Sequence, residues 1–190
     1  EGNIDTCTFN VTVNDTQAPS IACPGNIVTG NDAGSCDAIV NFTTPTFTDN
    51  CTGASISQIA GLASGSAFPL GTTINIFVAT DAAGNTDTCS FTVTVNDTQA
   101  PTVTCPGNMV TSNDAGSCGA EVSYVVTTSD NCAGTTLTQI AGLASGSAFP
   151  LGTTTNTFVA TDVAGNTDTC SFTAMTTVAV TLKSATVHRQ

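Results

Sequence analysis

Apolar and polar residues alternate in short runs along this chain, and no window carries a convincing helical period. In Phe91-Thr92-Val93-Thr94-Val95 every second residue is apolar and Thr stands between, so one face is expected to be buried and the other wet. Strand-like runs lie at residues 21–23, 27–29, 38–43, 55–59, 73–79 and 88–95. Turn formers separate them: Pro24-Gly25-Asn26, Gly30-Asn31-Asp32-Ala33-Gly34, Asp49-Asn50 and Ala82-Ala83-Gly84-Asn85. Thr, whose branched Cβ suits a pleated surface, is abundant, whereas Lys, Arg and Glu are nearly missing. The pattern predicts an all-β protein.

The same pattern recurs. Residues 58–73 (QIAGLASGSAFPLGTT) return letter for letter at 139–154, and 83–92 (AGNTDTCSFT) at 164–173. Cys23, Cys36, Cys51 and Cys89 return as Cys105, Cys118, Cys132 and Cys170, offset by 82 for the first two and 81 for the last two. One residue is thus deleted between Cys118 and Cys132, where a loop tolerates it. Residues 2–15 match 84–97, which end a repeat. The chain therefore reads as residues 1–14, the last strand of an upstream repeat, then a first repeat at 15–97 and a second at 98–190. The second repeat diverges after Thr173, where AMTTVAVTLKSATVHRQ replaces VTVNDTQAP.

Each repeat must build a small core from Val, Ile, Leu and a share of nine Phe, with no Trp and one Tyr in the chain. Such cores are marginal without covalent help. Nine cysteines supply it. There is no C-x-x-C and the only His is His188, so zinc does not fit, and an array this dense implies oxidised pairs in an exported protein. Spacing leaves the pairing open, because four cysteines per repeat allow three connectivities. Cys7 makes the number odd and is expected to pair upstream or with another molecule.

The net charge of −12 arises because residues 1–182 contain no Lys or Arg. That argues against nucleic acid and anionic lipid as partners and favours solubility, resistance to trypsin-like proteases or attraction to cations. No run approaches the roughly 20 apolar residues of a membrane span, so membrane insertion is not expected. The chain begins inside a strand-like segment and shows no signal peptide. Catalysis finds no constellation: the repeats lack His, there is no G-x-S-x-G elbow, and every carboxylate sits in a repeated turn. The chain reads as a non-enzyme.

One pattern bears on metal. Asp81, Asn85 and Asp87 form D-x-x-x-N-x-D, repeated as Asp162, Asn166 and Asp168. With Asp49, Asp130, Asp15 and Asp97 they make oxygen-rich loops at repeat ends, of the kind from which calcium takes about six to eight ligands. The plainer reading is that Asp and Asn cap turns through side-chain to backbone bonds, since no defined ligand spacing appears. Calcium is the one cofactor these loops suit, and otherwise none is expected. Thr92 and Thr94 read as the solvated face of a strand. Sequons at Asn10, Asn14, Asn41, Asn50 and Asn96 fit an exported protein.

Together these residues resemble the hyalin (HYR) repeat. The matching elements are Ala18-Pro19, Cys23-Pro24-Gly25-Asn26-Ile27, Pro45 with Asp49-Asn50, Phe68-Pro69-Leu70-Gly71-Thr72-Thr73, Ala79-Thr80-Asp81 with Gly84-Asn85, and Cys89-Ser90-Phe91-Thr92-Val93. The second copy carries the same set from Pro101 to Phe172. The resemblance implies tandem immunoglobulin-like β-sandwich modules, stapled by disulfides, in cell-surface or adhesion proteins strung as long arrays. The segment Val95-Asn96-Asp97, followed by Pro101, is also similar to calcium-rigidified linkers between cadherin-type modules.

Many such repeats keep only the cysteines of the Cys-Pro start and the Cys-x-Phe end, which implies Cys23–Cys89 and Cys105–Cys170. The remainder then pairs as Cys36–Cys51 and Cys118–Cys132, with Cys23–Cys36 and Cys51–Cys89 as the alternative. The expected role is a non-catalytic spacer or filament unit whose partners are neighbouring repeats or copies of itself. Two alternatives stand beside it, a module that binds a surface glycan or protein, and a filament in which residues 1–14 complete a neighbouring subunit.

Overall fold

The computed structural model describes residues 1–179. They form two compact units, one of Glu1–Asp32 with Asp37–Asn96, the other of Ala33–Cys36 with the chain from Asp97 onward. Every regular element is a strand. In the first unit these are β1 (Ser20–Ala22), β2 (Ile27–Gly30), β3 (Asp37–Val40), β4 (Thr46–Thr48), β5 (Ser55–Ala60), β6 (Ser66–Pro69), β7 (Gly71–Thr80) and β8 (Thr86–Asn96). The second unit repeats them as β9 (Thr102–Thr104), β10 (Met109–Ser112), β11 (Gly119–Val122), β12 (Thr127–Ser129), β13 (Thr136–Ala141), β14 (Ser147–Pro150), β15 (Gly152–Thr161) and β16 (Thr167–Thr177). The short β4 and β6 carry no distinct alternation and lay outside the sequence-derived strands.

In each unit a four-stranded sheet, β2-β8-β7-β5 or β10-β16-β15-β13, accompanies two strand pairs, β1-β4 and β3-β6 or β12-β9 and β11-β14. β2 runs parallel to β8 and β10 to β16, and the other pairings are antiparallel. Just before β2, Asn26 Oδ1 accepts from Thr92 N at 2.9 Å, and Asn108 does the same for Thr173 at 2.8 Å. The alternation predicted for β8 is present: Phe91, Val93 and Val95 are buried, with the Thr residues between them only half-buried. After the sequence diverges, β16 still runs to Thr177 on the same parallel partner. Ala174 and Thr176 then occupy the buried positions of Val93 and Val95.

The first core gathers Ala38, Val40, Phe68, Phe77, Phe91, Val93 and Val95. Phe42 packs edge-on to Phe68, Phe77 and Phe91 with centroids 5.0–6.4 Å apart, a preferred aromatic geometry. Tyr124 takes that place in the second unit, at 4.9–6.5 Å from Phe149, Phe158 and Phe172, and its hydroxyl donates to the Leu143 carbonyl. The one polar aromatic is therefore a core residue, not a surface contact.

Cys23 bonds Cys89 and Cys105 bonds Cys170, tying β1 to β8 and β9 to β16. The two short-loop bridges are not made. Cys36 bonds Cys132, leaving Cys51 and Cys118 as exposed thiols, along with Cys7. The reason is topological. The turn leading to Cys36 is held at the C-terminal end of β8, where Asn31 N donates to Asn96 O at 2.9 Å. Cys51 lies beside Asp15, Asp49 and Asp81, and Asp81 directly precedes the turn into the start of β8. An 11-residue strand spans about 33 Å, whereas bonded cysteines need Cα atoms within about 7 Å.

Residues 1–14 belong to no strand, and Ile4, Phe9, Val11 and Val13 are exposed. The matching strand β8 lies between β2 and β7 and packs its apolar side chains on Ala38, Val40, Phe68 and Phe77, and residues 1–14 belong to no sheet here. Lys183, His188 and Arg189 lie outside the described residues.

Candidate metal centres

Asp81 directly follows β7 and opens the turn Asp81-Ala82-Ala83-Gly84-Asn85, which Gly84 closes at φ +92°, a conformation costly to a side-chain-bearing residue. Gly84 N donates to Asp81 O at 3.3 Å and Asp81 N to Asn85 O at 3.1 Å. The Asp81 carboxylate accepts from Asn85 N and from Asn85 Nδ2, both at 2.7 Å. Nδ2 also donates to the Asp15 carbonyl at 3.3 Å, which draws the 15–17 segment to the turn. In the second unit Asn166 makes the equivalent bonds to Asp162 at 2.8 Å and to Asp97 O at 3.2 Å.

The result is a triad. Asp15, Asp49 and Asp81 each place a carboxylate oxygen within 4.8 Å of the other two, and Asp97, Asp130 and Asp162 do the same. Asp81 and Asp162 are buried. Burial pushes each carboxyl pKa up, but the Asn85 or Asn166 side chain and the turn amides outweigh it, so both lie below the ordinary value. These two groups are held as anions. Both carboxylate oxygens of Asp49, and both of Asp130, are shielded from solvent and accept no hydrogen bond. A shielded carboxylate without a donor is costly unless a cation completes it. No Lys or Arg exists in residues 1–182 to do so. The donor set is all oxygen and anionic, which fits a hard divalent cation such as calcium and not a soft metal.

The structure thus brings together Asp49 with Asp81 and Asp130 with Asp162, and it joins Asp15 and Asp97 to them. It separates Asp87 and Asp168. Asp87 accepts from Ile21 N at 3.2 Å and Thr88 N at 2.8 Å, and Asp168 from Val103 N at 2.9 Å and Thr169 N at 2.8 Å. These two clip the first strand of each unit to the last, and their carboxylates are taken up by those amides rather than by the triads. Asn85 and Asn166 orient carboxylates through their donor groups. Members of each triad lie more than thirty residues apart in the chain, and the repetition of Asp at each position is the signal in the sequence that points to them.

The family model described as HYR domain matches residues 14–95 and again 96–176. Hyalin of Strongylocentrotus purpuratus is 38% identical over 165 residues, covering 84% of this chain and 14% of that protein. Hyalin of Lytechinus variegatus is 34% identical over 178 residues, covering 90% and 33%. A protein named serine-rich adhesin for platelets, from Staphylococcus aureus strain MSSA476, is 31% identical over 182 residues, covering 83% and 8%. The chain therefore spans at most a third of the length of these relatives. With two adjoining matches over most of its length, the chain belongs to the HYR-domain family of extracellular, immunoglobulin-like repeat modules.

Proposed function

We propose that this chain is a non-catalytic spacer of an extracellular adhesion-type array, whose modules are held by calcium at the Asp15/Asp49/Asp81 and Asp97/Asp130/Asp162 triads. The single observation that carries this reading is duplication. The bridge from first to last strand, the Asp-to-Asn turn and the carboxylate triad all recur in both units with equivalent partners, as expected of repeated scaffold rather than of a single dedicated site. A ligand site is expected to stand apart from its scaffold and to show surface aromatics. Here the Phe42 and Tyr124 rings are spent inside the cores.

A glycan and protein array probed with the recombinant two-repeat chain tests this. Binding at background level is the expected result, and specific, saturable binding to one ligand would replace the spacer by an adhesin. A second reading has one observation in its favour. Phe9, Val11 and Val13 are exposed although they correspond to the buried Phe91, Val93 and Val95. Residues 4–14 thus carry the pattern of a last strand and suit a repeat that lacks one, whether upstream or in a filament.

A further inference from the structure

We infer that Cys51 and Cys118 are the two halves of a covalent head-to-tail joint between copies of this chain. The loop at residues 113–118 of one copy seats in a cleft beside Cys51 of the next, and Cys118 bonds Cys51.

The second unit contains the finished form of this joint. It includes Ala33–Cys36, held by three attachments. Gly34 N donates to Gln99 Oε1 at 2.8 Å, Asn131 Nδ2 donates to Ser35 O at 2.6 Å, and Cys36 bonds Cys132. The repeat offsets place Gln17, Asn50 and Cys51 at the positions of Gln99, Asn131 and Cys132. In the first unit these three residues, with the 13–16 segment, line an open cleft of about 340 Å³. The socket is complete in residue type, and its cysteine is an exposed thiol.

The plug is also present. The seated loop belongs to the run Asn-Asp-Ala-Gly-Ser-Cys at residues 31–36, which returns unchanged at 113–118. The free loop already has the seated shape. Gly34 and Gly116 share φ values of +75° and +79°. Asp32 N donates to Asp37 O at 2.7 Å and Asp114 N to Gly119 O at 2.8 Å. Asp32 Oδ2 accepts from Ile39 N at 2.8 Å, as Asp114 Oδ2 does from Glu121 N at 3.0 Å. Little ordering is left to pay on docking, and Cys118 stands exposed at the loop's end. Plug and socket are different surfaces of one chain, so the contact is heterologous and propagates as an open chain of copies.

The bond forms by thiol–disulfide exchange. One thiolate attacks an extracellular disulfide compound and releases its first thiolate, and the second cysteine thiolate then attacks the cysteine sulfur of the mixed disulfide and expels the other half of the compound as a thiolate. The Cys51–Cys118 S–S bond forms, two protons leave the cysteines, and the two electrons reduce the oxidant to two thiols. The inference rests on reading the chain as part of an array, but ligand binding on a glycan array would overturn the spacer role and leave this bond untouched.

The test is oxidation of the 190-residue Cys7→Ser chain with oxidised glutathione, followed by nonreducing electrophoresis. Peptides are mapped with pepsin, because residues 1–182 offer trypsin no site. The expected result is a ladder that collapses on reduction, with the Cys51–Cys118 linked peptide confined to the ladder bands. Cys51→Ser and Cys118→Ser should each abolish the ladder, and mixing these two variants should give one dimer band and nothing larger. Gln17→Ala with Asn50→Ala should slow ladder formation several-fold while both thiols remain alkylatable. A monomer with both thiols free, a Cys36–Cys51 or Cys118–Cys132 peptide, a Cys51–Cys118 peptide from the monomer band, or a ladder of like-to-like bonds would overturn the inference.

Discussion

Gly61 lies so close to Asn75 that a Cβ at residue 61 would overlap the Asn75 carboxamide oxygen. That oxygen is already engaged by Leu62 N at 3.0 Å and Gln58 Nε2 at 3.1 Å, in a side chain fully shielded from solvent. Gly142, Leu143, Gln139 and Asn156 repeat the arrangement. Gly61 also sits at φ +88°, where a side chain alone costs about 1–3 kcal/mol. Gly61→Ala is therefore expected to lower the urea midpoint of the first repeat by more than the backbone term, with an unchanged m-value. Asn75→Ala should cost about 1–3 kcal/mol, since Leu62 N loses its buried acceptor.

This network explains why the letter-for-letter repeat was visible while its cause was not. Strand and turn placement were legible because alternation and Gly or Asn punctuation are local. Phe91, Val93 and Val95 could be assigned to the buried face from five consecutive letters. Gln58 with Asn75, or Asp15 with Asp49 and Asp81, are joined only by the fold, which local patterns do not encode. The same limit hid the fate of Cys36. Fifteen residues separate it from Cys51 in the chain, yet β8 separates their anchoring turns.

Thr176 offers a test within the repeat pair itself. It takes the place of Val95, is buried, and its hydroxyl has no hydrogen-bond partner. Val matches Thr in shape without the hydroxyl, so Thr176→Val removes an unsatisfied polar group at little steric cost. The second repeat should gain about 1–3 kcal/mol. Thermal unfolding of wild type and variant reads this as a rise in the second repeat's transition alone.

Cys23–Cys89 closes a span of 66 residues. The chain-entropy relation gives about 4 kcal/mol for a loop of that length, comparable to the whole stability of a small domain. Cys23→Ala with Cys89→Ala is expected to leave the first repeat largely unfolded at body temperature. Proteolysis by pepsin-type enzymes should then cut within 15–97 first.

In metal-free protein the Asp81 and Asp162 carboxyls lie below their ordinary value, because Asn85 or Asn166 and the turn amides favour the anion. A lowered folded pKa means stabilisation that is complete above about pH 4 and lost as pH falls through the ordinary carboxylate value toward the folded one. The urea midpoint measured in chelator should thus decline below pH 4. Asn85→Ala with Asn166→Ala should flatten that decline while lowering the neutral-pH midpoint.

Calcium should act on the same groups from the opposite direction. Ion binding needs the carboxylates charged, so affinity should fade as pH drops. At neutral pH a ligand that binds only the folded state stabilises it by about 2.7 kcal/mol when present at about one hundred times its dissociation constant. Added calcium should therefore raise the melting temperature, and a chelator should reverse the shift. Asp49→Asn with Asp130→Asn provides the control. It keeps the shape of both triads, removes the two carboxylates whose oxygens accept no hydrogen bond, and lessens the repulsion on Asp15 and Asp81. This variant should melt no lower than wild type in chelator yet gain little from calcium. If wild type and variant respond to calcium equally, the ion binds elsewhere and the triads are turn caps alone.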